Sequence, residues 1–224
     1  MATAVSTRTH PGADRSAVRA ELGAIRWAPV AGAGAGAAAL ALLDLAAWPH
    51  GPGSLLTWLS AALAATASAL ALDQPAAGVT DVAPYSHTRR LAARLLVVAL
   101  AVACWAGYAG LVVGDQPSGL TVSWGAVTTA GVGLILLGPA LAAILARPDN
   151  REPGSLAGSL VVLAVVGLVT VRLPSDLHPF DVSTLGSDAT FVWGVVAGAS
   201  AFVLAWAARQ RGIAERCRRT RPPD

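Results

Sequence analysis

The sequence predicts an all-α, polytopic membrane protein with six transmembrane helices. Three observations carry this expectation. Charged residues make up 13% of the 224-residue chain while 54% is hydrophobic, against about 25% charged in an average soluble domain. The apolar residues arrive in six continuous blocks rather than in amphipathic stripes. Each block is close to the about 20 residues that a helix needs to cross the hydrocarbon core. The arginines fall almost entirely in alternate connections, as positively charged cytoplasmic segments do.

The first block runs from about Ala28 to Ala47, the second from Ser54 to Leu72 and the third from Leu91 to Val113. The fourth covers Val122 to Ala146, the fifth Leu156 to Leu173 and the sixth Ala189 to Ala208. Backbone groups in lipid must be paired within the segment, so blocks of this length read as helices. The first block is longer than the about 7–15 apolar residues of a signal peptide and follows a long polar stretch, so it is expected to stay as a span. The resulting organisation is a polar tail over 1–26, a transmembrane domain over 27–208 and a basic tail over 209–224.

All 16 basic residues are arginine. Fifteen of them lie in the N-terminal tail, the second and fourth connections and the C-terminal tail, leaving Arg172 alone on the other side. This asymmetry places both termini in the cytoplasm and the protein in the cell membrane. It also accounts for the net charge of +3 without nucleic acid as a partner. Tryptophan favours the headgroup level. Trp27 and Trp206 fall at expected cytoplasmic ends, and Trp48, Trp58, Trp124 and Trp193 near outer ends, with Trp105 well inside a span.

Within the spans, Gly32/Gly36, Gly110/Gly114, Gly154/Gly158 and Gly194/Gly198 form GxxxG pairs. Small residues at this spacing let helix backbones approach closely, although 23 glycines also produce such pairs by chance. Asp44 is the acidic residue well inside a span. Intramembrane carboxylates are costly and are often functional. Asp44 stands only about one turn from the expected outer end, which favours a carboxylate that reaches water or bonds a neighbouring helix over one that couples an ion. Cys104 and Cys217 fall in different compartments, so no disulfide joins them.

The second connection holds the most organised polar segment. Asp73 can cap a short helix, Pro75 suits its first turn and Pro84 ends it. Ala76, Val79 and Val82 would share one small apolar face. A plain proline-bounded loop fits the same spacing. The outer connection from Arg172 to Asp188 carries Asp176, His178, Asp181 and Asp188, but its spacing matches no metal site. A solvated acidic loop, or one dipping back toward the membrane, fits it better.

Catalytic motifs are missing. A chain without lysine carries no Walker A loop, whose lysine contacts the nucleotide phosphates. HExxH and GxSxG are also absent, and His10, His50, His87 and His178 are scattered over tails and connections. The expectation is a protein that is not an enzyme and holds neither metal nor cofactor.

The stretch from Ser68 to Leu96 resembles a group of actinobacterial six-span ABC transporter permeases. The resemblance rests on Ala71-Leu72-Asp73-Gln74-Pro75-Ala76, then Pro84, then Arg89, Arg90 and Arg94 entering an apolar block. It implies a permease subunit driven by a separate ATP-binding subunit, paired as a homodimer or as a heterodimer with a second permease chain. It also implies that the segment from Asp73 to Pro84 docks on the ATPase. The chain departs from the group in lacking a clear amphipathic helix before its first span. A non-transporting assembly or partner protein, and an ion-coupled carrier using Asp44, are the other functions open to such a sequence.

Overall fold

A computed structural model describes residues 22–23, 25–46, 55–73, 87–114, 124–146, 152–171 and 187–219, with side chains in the third and last helices described over 94–113 and 190–210. The described chain forms α1 (Trp27–Ala46), α2 (Leu55–Leu70), α3 (His87–Gly114), α4 (Trp124–Leu145), α5 (Pro153–Thr170) and α6 (Ser187–Arg219). No strand occurs among the described residues. Five of these helices are long and apolar enough to cross a membrane; α2, with 16 residues, is shorter. At about 1.5 Å per residue α2 is about 24 Å long, short of the about 30 Å hydrocarbon core.

The shortest helix is the hub. α2 packs against α1, α4 and α5 and touches α3. Its composition explains this position. Ala61, Ala62, Ala65, Ala67, Ala69, Ser60 and Ser68 are all buried, and small side chains let neighbouring backbones come close. Glycines on the neighbours complete the fit. A Cβ at Gly138 of α4 would fall on the Ala65 carbonyl, one at Gly154 of α5 on the Ala69 carbonyl, and one at Gly158 on the Thr66 side chain. The Gly154/Gly158 pair is therefore a packing face. Of the Gly32/Gly36 pair, only Gly36 meets a neighbour, Leu63, and the Gly194/Gly198 pair faces open space.

Large side chains occupy two opposite places. Trp58, Trp105, Tyr108, Ile135 and Trp193 fill the centre, where the Trp105 ring lies 6.5 Å from Trp58 and 5.3 Å from Tyr108. The Trp105 indole seats over Gly131, where any Cβ would overlap it, and donates to the Val127 carbonyl at 3.3 Å. Leu42, Leu100, Leu111, Leu163, Phe191 and Phe202 point outward. Exposed apolar side chains along whole helices suit lipid surroundings, because water would penalise a patch of this extent. The long apolar helices suggest a membrane-embedded protein.

Three expectations change. Trp58 and Trp193 are 0% and 7% exposed, so these rings are core residues rather than headgroup anchors; the Trp193 ring lies against Gly133 and the Trp58 ring near that of Trp105. Trp27, Trp124 and Trp206 are exposed, while Trp48 lies outside the described residues. The second block extends beyond its helix: α2 ends at Leu70, and a turn follows in which Leu72 and Asp73 donate to the Ala69 and Leu70 carbonyls. The sixth helix does not stop near Ala208 but continues through Arg219. Arginine and glutamine sustain a helix well, and no proline intervenes before Pro222. The sixth block and most of the basic tail are one helix of about 50 Å.

Candidate functional site

Polar side chains gather at the two ends of this bundle, and each gathering ties several helices together. The arginine-rich end holds the residue that opens the expected docking segment. Asp73 follows the last turn of α2 and is 8% exposed. Its carboxylate turns across to α5, where Oδ1 accepts from the Gly154 amide at 2.6 Å. The first amides of a helix have no partner within it and need an acceptor. α5 starts with proline at its first turn, and Glu152 at its cap position makes no side-chain cap bond. Glu152 instead pairs with Arg26 at 2.9 Å, an exposed contact between the start of α1 and the start of α5. Asp73 supplies the missing cap from a different helix.

Arg94 completes the arrangement. It lies in the first part of α3, is 5% exposed, and its Nη1 donates to the Asp73 carbonyl at 2.7 Å and the Leu72 carbonyl at 3.2 Å. The last carbonyls of a helix also lack partners, and a cation suits their negative dipole end. One aspartate and one arginine therefore join the end of α2 to the starts of α3 and α5. Burial raises the Asp73 carboxyl above the ordinary carboxylate range and the nearby Glu152 charge adds to this, while the Gly154 and Ser155 amides and Arg94 oppose it.

Pro75, Ala76, Val79, Val82 and Pro84, the rest of the expected docking segment, lie outside the described residues. Asp73 was expected to cap a helix within that segment, which lies outside the described residues; its carboxylate accepts from the Gly154 amide of α5. The connection nevertheless emerges from this clamp, since it leaves at Asp73 and re-enters the bundle in the first turns of α3, just ahead of Arg94.

At the other end, Asp44 sits on α1 in the last turn before Ala46. Its Oδ2 accepts from Thr57 Oγ1 of α2 at 2.7 Å and from the hydroxyl of Tyr108 on α3. Of the sequence-based alternatives, bonding to neighbouring helices is what the structure contains. Thr57 and Tyr108 were not singled out from sequence. The available signal was their rarity: Tyr108 is one of 2 tyrosines in the chain and lies inside an apolar block.

Among the described residues, no group of three or more His, Cys, Asp and Glu side chains is placed to hold a metal ion. Asp176, His178 and Asp181, in the connection before α6, lie outside the described residues. Through Asp73 and Arg94 the clamp joins the end of α2 to the starts of α3 and α5. No protein family, curated protein or solved structure matches this chain.

Proposed function

We propose that the chain is the membrane-spanning permease subunit of an ABC-type transporter, moving a substrate through work done by a separate ATP-hydrolysing subunit. In this reading all six helices span the cell membrane, with both termini in the cytoplasm, and the subunit pairs with a second permease chain. The observation that carries the reading is the clamp at the root of the 74–86 connection. A partner that pushes on a cytoplasmic segment drives transport only if that segment is rigidly joined to the spans. The Asp73 bond to α5 and the Arg94 bonds to the end of α2 provide such joints at both ends of the connection.

The arginine asymmetry supports the orientation, since it places Asp73, Arg94, Arg26 and Glu152 on the cytoplasmic side. The lack of lysine assigns the nucleotide chemistry to another subunit. The short α2 suits the span count as well, because its turn through Asp73 lengthens the crossing and a short segment can be matched by local thinning of the bilayer.

The docking role is tested at Val79, on the small apolar face expected of the segment. A docked helix is held through packed apolar anchors, and a central anchor typically contributes about 2 kcal/mol or more. Val79→Asp therefore weakens association with the cognate ATPase by about thirtyfold, at unchanged membrane expression. The measurement is co-purification of that ATPase with wild type and variant. Equal recovery with both defeats the docking role. An ATPase that never co-purifies with wild type favours the assembly-protein reading instead.

A further inference from the structure

We propose that the arginine-rich end of α6, from Arg209 to Arg219, is a binding site for the phosphate headgroups of anionic lipids. The proposal rests on α6 spanning a membrane and is independent of the permease reading.

Two features of α6 put the edge of the bilayer at the same place. Its apolar span runs over 21 residues from Thr190 to Gln210. At about 1.5 Å per residue this covers the about 30 Å hydrocarbon core, and no charged residue lies between Asp188 and Arg209. Near the end of the span stands Trp206, 54% exposed, and tryptophan favours the headgroup level. Span length and an exposed indole therefore agree on an edge close to Trp206.

The helix does not stop at that edge. It continues through Arg219, and over 209–219 it carries the five arginines Arg209, Arg211, Arg216, Arg218 and Arg219 against one acidic residue, Glu215. A flexible tail would let these charges disperse, whereas an unbroken helix fixes their distance from the bilayer. Arg209 and Arg211 come about 5 and 8 Å past Trp206 along the axis, within the headgroup layer, which adds about 5–8 Å to each side of the core. Arg209 is exposed. Arg216, Arg218 and Arg219 follow at about 15–20 Å, about one Debye length or more beyond that layer at physiological salt.

This placement selects the partner. Guanidinium pairs bidentately with a phosphate and keeps its charge. A lipid phosphate is the anion that α6 meets on leaving the core, and it meets Arg209 and Arg211 first. A soluble acidic partner would approach from the aqueous side and meet the distal three first. The two partners therefore rank the same five residues in opposite orders.

The test uses the full chain in a neutral detergent, titrated with phosphatidylglycerol and, for comparison, phosphatidylcholine, with binding read by native mass spectrometry. Each arginine near the surface contributes about fivefold, so the pair gives phosphatidylglycerol an advantage of about 25-fold, which shrinks as salt rises. Arg209→Gln with Arg211→Gln removes most of that advantage; glutamine sustains the helix, which circular dichroism checks. Arg216→Gln with Arg218→Gln and Arg219→Gln removes more charge but lowers the advantage less. Arg8→Gln with Arg15→Gln, which matches the pair in charge but lies in the N-terminal tail, leaves it in place. A wild type without preference, or an equal loss in the tail variant, overturns the proposal. So does a distal triple variant that is more damaging than the proximal pair, the order expected of a soluble acidic partner. Displacement of the lipid by inorganic phosphate at equal concentration assigns the site to a free anion and also overturns it.

Discussion

Asp73 is the residue at which a single atom change separates the roles of shape and charge. Its Oδ1 accepts from the Gly154 amide at 2.6 Å in a setting where Asp73 is almost fully buried. Asp73→Ala removes the acceptor and leaves the Gly154 amide, buried beneath α2, with no acceptor at this position. Loss of a helix cap typically costs about 1 kcal/mol, and a stranded buried donor about 1–3 kcal/mol. These are two views of one event, so the expected loss is about 2 kcal/mol rather than their total. Asp73→Asn behaves otherwise. Its amide oxygen can occupy the same place, and asparagine caps about as well as aspartate. Burial already disfavours the ionised form, so the neutral side chain loses little.

The pH dependence follows from the same shift. A carboxyl whose folded value lies above its unfolded value binds protons more tightly when folded. Its contribution to stability is greatest below the ordinary carboxylate value and declines as the pH rises to the raised folded value. Asp73→Asn abolishes this decline, so its stability relative to wild type improves across that window. The assay is unfolding in mixed micelles followed by circular dichroism, for wild type and both variants at several pH values. If Asp73→Asn is as damaging as Asp73→Ala, charge rather than the acceptor position holds the clamp and the reasoning fails. If Asp73→Ala is neutral, the bond to Gly154 contributes nothing.

Arg94→Met keeps the length of the side chain but leaves the Leu72 and Asp73 carbonyls without their donor, and should cost about 1–3 kcal/mol in the same assay; an unchanged midpoint refutes the joint between α2 and α3. Gly154→Ala drives a Cβ into the Ala69 carbonyl, whereas Gly194→Ala meets nothing. The first should destabilise by about 1–3 kcal/mol and the second by less than about 0.5 kcal/mol, and equal effects would show that the close approach of α5 to α2 is not real. Reporter fusions after Asp224 and within the 174–186 connection should report opposite sides of the membrane. The same side for both rejects the six-span topology.

The helices and their approximate places were legible in the sequence because the constraint that produces them is local. A segment surrounded by lipid must pair its own backbone, and about 20 apolar residues in a row are enough to require a helix. Their ends were less legible. The run from Ser54 to Leu72 looks like one span, yet α2 closes at Leu70 because the chain must turn to present Asp73 to α5. The run to Ala208 looks like the last span, yet the helix continues to Arg219 because helix propensity does not follow hydropathy.

Asp44 could be marked from the sequence alone, since an intramembrane carboxylate is conspicuous by composition. Its partners could not. Thr57 and Tyr108 lie 13 and 64 residues away, and only the packing of α1 on α2 and of α3 beside it brings three oxygens together. Asp73 was likewise recognisable as a capping residue, because that capacity belongs to its side chain. Which helix it caps depends on where α5 begins in space, 81 residues further on. The sequence determined the kinds of residue and the helical segments, through solvation and local hydrogen bonding. The choice of α2 as hub, the burial of Trp58 and Trp193, and the closing of both polar clusters were decided by tertiary packing, because close approach depends on pairs of small residues that no single segment contains.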